Sequence, residues 1–174
     1  MSNLHASVHF ARGLLMKRVL IAALAILAIA AGAAAADKPK ASDKPNYSGE
    51  WKMNPTASNF GQFPPPNSFV RKIEHADPTL SIVEDQAAGG AQSTTTRKMT
   101  TDGKPAALEL NGYAAVCAAV WDGKDIVATT NMESAGVKFT DRMSLSADGK
   151  TLTSKVQIAT SQGDGDVTIV FDRQ

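Results

Sequence analysis

From Val137 to Thr160 apolar and polar side chains alternate with period two on both sides of a central Asp148-Gly149, the pattern of two half-buried antiparallel strands joined by a tight turn. Pairing about that turn sets Leu145 opposite Leu152. One face then carries Val137, Phe139, Asp141, Met143 and Leu145 against Leu152, Ser154, Val156, Ile158 and Thr160. A slip of one residue would turn the whole apolar set into water, so the pattern predicts register as well as strand type. A lone hairpin is marginal in water, and the chain supplies more strands of the same kind.

Tyr47, Gly49, Trp51 and Met53 alternate with polar residues as a first strand that Pro55 ends. Pro55 to Gly61 has room for one short helical turn tucking Phe60 over the core, and Pro64 to Pro66 form a stiff connector. Phe69–His75 and Thr79–Gln86 form the next hairpin, turning at Ala76-Asp77-Pro78. With Phe69, Ile73, Leu80 and Ile82 inward, Arg71, His75 and Glu84 face inward too; the competing assignment puts Val70 and Val83 inside. Ala87 to Ala91 is a Gly-rich loop. The threonine-dominated Gln92 to Thr101 has almost no apolar face, which suits an edge strand or the wall of a wet cavity.

Three Asp-Gly-Lys triplets follow, at 102, 122 and 148, with unequal spacing that marks repeated turn chemistry rather than a solenoid. Pro105 to Gly112 is a loop or a ragged strand. Tyr113–Trp121 is a clear strand, and Asp125–Met132 pairs back on it with Cys117 opposite Ala128 and Ala119 opposite Ile126. Its many alanines predict close approach of another element or a poorly filled interior. After the loop Ser161 to Gly165, a last strand places Val167, Ile169 and Phe171 on one face. Sequential hairpins predict an all-β, single antiparallel up-and-down barrel of about eight to ten strands, with a β-sandwich as the alternative.

The N-terminus modifies this picture. Lys17 and Arg18 precede an apolar run from Val19 to Ala31 and an alanine-rich stretch ending at Ala36, the layout of a secretory signal peptide over residues 1–36. Met16, directly before the basic pair, offers a second start. An uncleaved anchor is the alternative, though the alanine-rich end makes the run weakly hydrophobic. Residues 37–46 read as a disordered leader, and residues 47–174 as the barrel domain. The expected product is exported, periplasmic or extracellular, without stable membrane insertion after cleavage.

Removing residues 1–36 takes away Arg12, Lys17 and Arg18 and no acid, leaving a net charge of two negative, which gives no electrostatic reason to bind nucleic acid. Cys117 is the single cysteine, so no internal disulfide forms and stability rests on the core.

The opening Gly49-Glu50-Trp51 resembles the Gly-x-Trp first strand of lipocalins, in which the Trp packs across the barrel base, and Arg173 stands where that family's C-terminal Arg covers it. The pattern through Phe60-Gly61, Arg71-Lys72-Ile73-Glu74-His75, Trp121-Asp122-Gly123-Lys124, Asp141-Arg142 and Leu145 to Leu152 is similar to small secreted bacterial proteins of lipocalin-like type. Thr140-Asp141-Arg142 matches only part of the lipocalin Thr-Asp-Tyr loop motif. The resemblance implies architecture and structural roles for Gly49, Trp51 and Arg173, more than it implies a ligand.

Candidate chemistry is sparse. A Cys117–His75 nucleophilic pair is weighed against a small buried thiol among alanines, which is the ordinary state of such a cysteine. Zinc lacks a closely spaced ligand pair, Asp164-Gly165-Asp166 offers calcium too few oxygens, and haem would hang on His75 alone, so no metal or cofactor is expected. The leading constellation is the inward polar set Arg71, His75, Glu84 and Asp141 with Ser154. It is either an internal salt bridge, or Asp141 turned outward at a bulge, or the polar part of a pocket for a small apolar or amphipathic ligand. Three functions compete: a binding protein using the lumen, a structural or interaction module of the envelope, and a cyclase or isomerase using Asp141 or Glu84.

Overall fold

The computed structural model describes residues 43–174; the signal-peptide reading of residues 1–36 and positions 37–42 of the expected leader lie outside the described residues. Ten strands follow one another: β1 (Gly49–Met53), β2 (Ser68–Ala76), β3 (Thr79–Ala88), β4 (Ala91–Thr100), β5 (Ala106–Leu110), β6 (Tyr113–Asp122), β7 (Asp125–Met132), β8 (Val137–Leu145), β9 (Thr151–Thr160) and β10 (Gly163–Arg173). Among the described residues a single 3₁₀ turn, Glu133–Ala135, interrupts them. All pairings are antiparallel, in the order β4-β3-β2-β1-β10-β9-β8-β7-β6-β5. The chain is therefore an up-and-down β-barrel, wound so that β1 and β10 meet and β4 and β5 form a seam. No ladder joins β4 to β5 among the described residues. The connector between them lies on β6 instead, through an Asp102–Val120 bridge and a 2.8 Å bond from Gly103 N to Ala119 O.

The hairpin β8–β9 has the register its alternation predicts, with Leu145 opposite Leu152, Met143 opposite Ser154 and Phe139 opposite Ile158. Its turn is longer than two residues. Ser146 N reaches Thr151 O, and Asp148 accepts bonds from the Ser146 hydroxyl and Lys150 N, so four residues span the loop with only Gly149 at positive φ.

At β6–β7 the pairing runs two residues from expectation: Cys117 faces Thr130 and Ala119 faces Ala128, not Ala128 and Ile126. The turn centres on Gly123-Lys124, because a glycine with φ of 63° followed by a residue at ordinary negative φ makes a II′ turn, leaving Asp122 and Asp125 paired as the last strand residues. Even shifts keep the faces, so the small side chains Ala115, Cys117, Ala119 and Ala128 remain buried, and β4 comes close to β6. The triplet at 102, by contrast, closes no hairpin.

Three loops also differ. Gly89-Gly90 alone turns β3 into β4, and Ser161-Gln162 alone turns β9 into β10, so both expected loops are mostly strand. Pro55 to Gly61 forms no helix: the Asn54 side chain takes Ala57 N, and Asn59 bridges to Thr168 of β10, committing the backbone to run beside β10 past the end of β1 while half-buried Phe60 packs on the core.

The first of the two inward assignments holds for β2 and β3, with Phe69, Arg71, Ile73, His75, Leu80 and Ile82 all buried. One end of the barrel is sealed. Tyr47 donates its hydroxyl to the carbonyls of Met143 and Lys124 at 2.9 Å, and the Trp51 indole N–H donates to Tyr47 O at 3.1 Å. Burial together with Asp125 raises the Tyr47 pKa above the ordinary phenol value. The opposite end, ringed by the β3–β4, β5–β6, β7–β8 and β9–β10 connections, keeps Phe139, Val156 and Ile158 only half-buried.

Candidate functional site

Below that open end lies a cavity of about 260 Å³. Its apolar wall is made by Phe69, Leu110, Met132, Phe139, Val156 and Ile169, and its charged floor by Arg71, Glu84, Arg97 and Asp141. A second depression, of about 390 Å³ on the outer face of β7–β10, is lined by Thr140, Arg142, Lys155 and Gln157 and shares none of these charges.

Strand register builds the floor. Arg71 and Glu84 are directly opposite on β2 and β3, and the Arg71 Nε and Nη2 atoms donate to Glu84 Oε1 at 2.9 and 2.6 Å. Across the lumen Arg71 Nη2 meets Asp141 Oδ2 at 3.1 Å, and Nη1 donates to Ser154 Oγ at 3.1 Å. Ser154 in turn donates to Asp141, so the polar interruption of the β8–β9 face closes on itself. The guanidinium carbon lies 5.0 Å from the ring centre of Phe171 and 5.7 Å from that of Phe69, two rings that meet edge to face.

Burial by itself would raise the Glu84 pKa, but Arg97 and Arg71 outweigh it and hold the carboxyl down at about 2. Burial likewise opposes the Arg71 charge, and Glu84 and Asp141 reverse the effect, raising its pKa. A buried arginine with only 2 % of its surface exposed is tolerable because two carboxylates and a hydroxyl answer it.

Arg97 is the residue that sequence reasoning missed. It is 7 % exposed, bonds Glu84 Oε2 through Nη2 at 3.1 Å, and leaves its Nε–H buried without a protein acceptor. The available signal was Met99, the one large apolar residue of β4, whose inward face Arg97 shares by alternation.

Of the five expected residues, Arg71, Glu84, Asp141 and Ser154 come together and His75 does not. It lies four residues along β2 from Arg71, about 13 Å at strand rise, at the sealed end. There its Nδ1 accepts from Tyr47 N at 3.3 Å and its Nε2 stands 3.9 Å from Asp77 Oδ1, without a hydrogen-bond partner. The Trp121 N–H and Thr101 hydroxyl already occupy that Asp77 oxygen, at 2.7 and 2.6 Å, and their bonds lower the Asp77 pKa. Burial lowers the His75 pKa against the pull of Asp77. Cys117 makes its contact with the Thr130 hydroxyl, at 3.2 Å. Asp164 and Asp166 are exposed on β10 rather than gathered in a loop, and no cluster of three metal-ligating side chains occurs among the described residues.

Gly49, Trp51 and Arg173 form a separate unit at the sealed end. The Arg173 guanidinium lies 4.2 Å over the Trp51 ring, held by bonds to Gly149 O and Ser48 O at 2.7 Å each. A Cβ on Gly49, whose φ is 146°, would stand 2.7 Å from Arg173 Nη1. Lys44, in the expected leader, sits 4.7 Å over the Trp121 ring.

No family model matches the chain, and no curated protein matches it in sequence. Solved structures do match its shape. A secretory abundant heat soluble protein from Ramazzottius varieornatus superposes with a TM-score of 0.57 at 12% identity, over 74% of this chain and 95% of that one. Fatty-acid-binding protein 1 of Echinococcus granulosus gives 0.52 at 8% identity over 73% and 96%. The zebrafish ileal bile acid-binding protein, solved with cholic acid, gives 0.51 at 12% identity over 74% and 98%. The fold is that of these small barrels. At such identities the likeness extends to the backbone and no further.

Proposed function

We propose that this chain is an exported, non-catalytic barrel that holds a small, mainly apolar ligand in its lumen. The observation that carries the reading is the cavity itself: an apolar wall over a compact polar floor, open at one end of the barrel, which is the usual make-up of a small-molecule site. At about 260 Å³ it lies just under the common range of about 300–1,000 Å³, so the ligand is small. Two of the similar structures are of proteins named for binding bile acid and fatty acid, which agrees with a lumenal ligand. Export rests on the apolar run behind Lys17 and Arg18.

An acid–base role fits poorly, because Glu84, held at about 2 by two arginines, stays ionised near neutral pH. The test is saturable binding. The protein should take up Nile red with one-site stoichiometry, Arg71→Ala should weaken it, and Val156→Trp, which fills the lumen, should abolish it. Absence of saturable uptake, or uptake indifferent to Val156→Trp, would defeat the reading. Export is tested separately by N-terminal sequencing of the secreted product, expected to begin at Asp37.

A further inference from the structure

The floor of the lumen is already neutral. Arg71 and Arg97 face Glu84 and Asp141, two charges of each sign, and the carboxylates cannot be pushed aside because strand register holds Glu84 directly opposite Arg71. An entering carboxylate would be a fifth, unmatched charge in a site of low dielectric, where its lost hydration is not returned. An ammonium group would meet the same imbalance with the opposite sign. One polar demand of the floor is nonetheless unmet: the Arg97 Nε–H is buried without an acceptor, on a side chain that lines the cavity.

We propose that the lumen selects an uncharged apolar molecule carrying a single hydrogen-bond acceptor, such as a ketone, ester or alcohol, seated with its oxygen on Arg97 Nε, and discriminates against carboxylates of the same length. This rests on the reading of the lumen as a binding site. The six apolar wall residues take the hydrocarbon part, and the orphan N–H fixes the polar end.

The experiment is a matched series, 2-decanone, 1-decanol, decanoate and decylammonium, measured by Nile red displacement and calorimetry at pH 7.4. The expected result is that the ketone and the alcohol bind at least tenfold more tightly than either ion. Decanoate binding as tightly as 2-decanone would overturn the neutral-ligand proposal while leaving the lumen a binding site; silence from all four probes and from Nile red would remove both. Glu84→Gln leaves the floor with one net positive charge and should shift the decanoate-to-decanone ratio at least tenfold towards decanoate; an unchanged ratio counts against selection by charge balance. Should that variant not fold, side-chain NMR of the unaltered protein decides the seat: 2-decanone should move the Arg97 Nε–H resonance, and a resonance that stays put overturns the assignment.

Discussion

Arg71 on β2 and Asp141 on β8 meet at 3.1 Å although β1, β10 and β9 separate their strands in the sheet. The contact therefore crosses the lumen instead of running along the wall. Removing one member of such a buried group strands the others, at a cost of about 3–5 kcal/mol. Arg71→Met should lose that much in urea unfolding, and adding Asp141→Asn should recover a large part, because Glu84 keeps Arg97 as its partner. A loss under about 1 kcal/mol for Arg71→Met would mean that water, not protein, surrounds the guanidinium.

At the sealed end, Gly49→Ala forces a Cβ against Arg173 and a side chain onto positive φ, so a loss of about 1–3 kcal/mol is expected. Arg173→Ala leaves Gly49 relaxed and removes the cation over Trp51; combined with Gly49→Ala the losses should be clearly less than additive in a double-mutant cycle. Full additivity would show that the two residues do not meet.

His75 makes stability depend on pH with a definite sign. Burial holds its folded pKa below the ordinary 6.5, so the unfolded chain binds the proton more readily. Stability is full above that value and declines as pH falls from about 6.5 towards the folded pKa. Protonation also puts a hydrogen on Nδ1, where Tyr47 N–H now donates. Melting temperature should drop between pH 7.5 and 5.5, and His75→Gln should flatten the drop. Glu84 adds a lower window, in which stability present above about 4.5 is lost as pH falls towards about 2.

Cys117 is fully buried against Thr130, and it is the chain's one thiol. A thiol reagent should modify the folded protein at least a hundredfold more slowly than the urea-unfolded chain, with the rate following urea concentration through the unfolding transition. Rapid labelling without denaturant would contradict the packing of β6 on β7.

The barrel was legible wherever alternation was clean. Val137 to Thr160 fixed strand, face and register together, because an odd slip is forbidden by the buried face. An even slip is not, which is why β6–β7 kept its inward alanines while its partners moved by two: only the conformation of Gly123 distinguishes the registers, and Asp-Gly-Lys reads alike at all three sites. The floor of the lumen was legible on β2, β3 and β8, where Arg71, Glu84 and Asp141 interrupt apolar rows. Arg97 was not, since it sits among threonines on β4 with no apolar row to interrupt. His75 shares a face with Arg71 but not a height, and period-two patterning carries no information on distance along the strand.

The β4–β5 seam gives the ionic floor a mechanical role. Wound around with no ladder between its two borders among the described residues, the sheet is a scroll rather than a welded pipe, tied at one end of that seam by the bond from Gly103 N to Ala119 O. Glu84 and Arg71 bind the β4 side through Arg97, and Asp141 and Ser154 bind the opposite side, so the four charges act as a crossbar holding the scroll shut from within. A molecule that loosened that crossbar would open the wall lengthwise without breaking a single strand-to-strand bond.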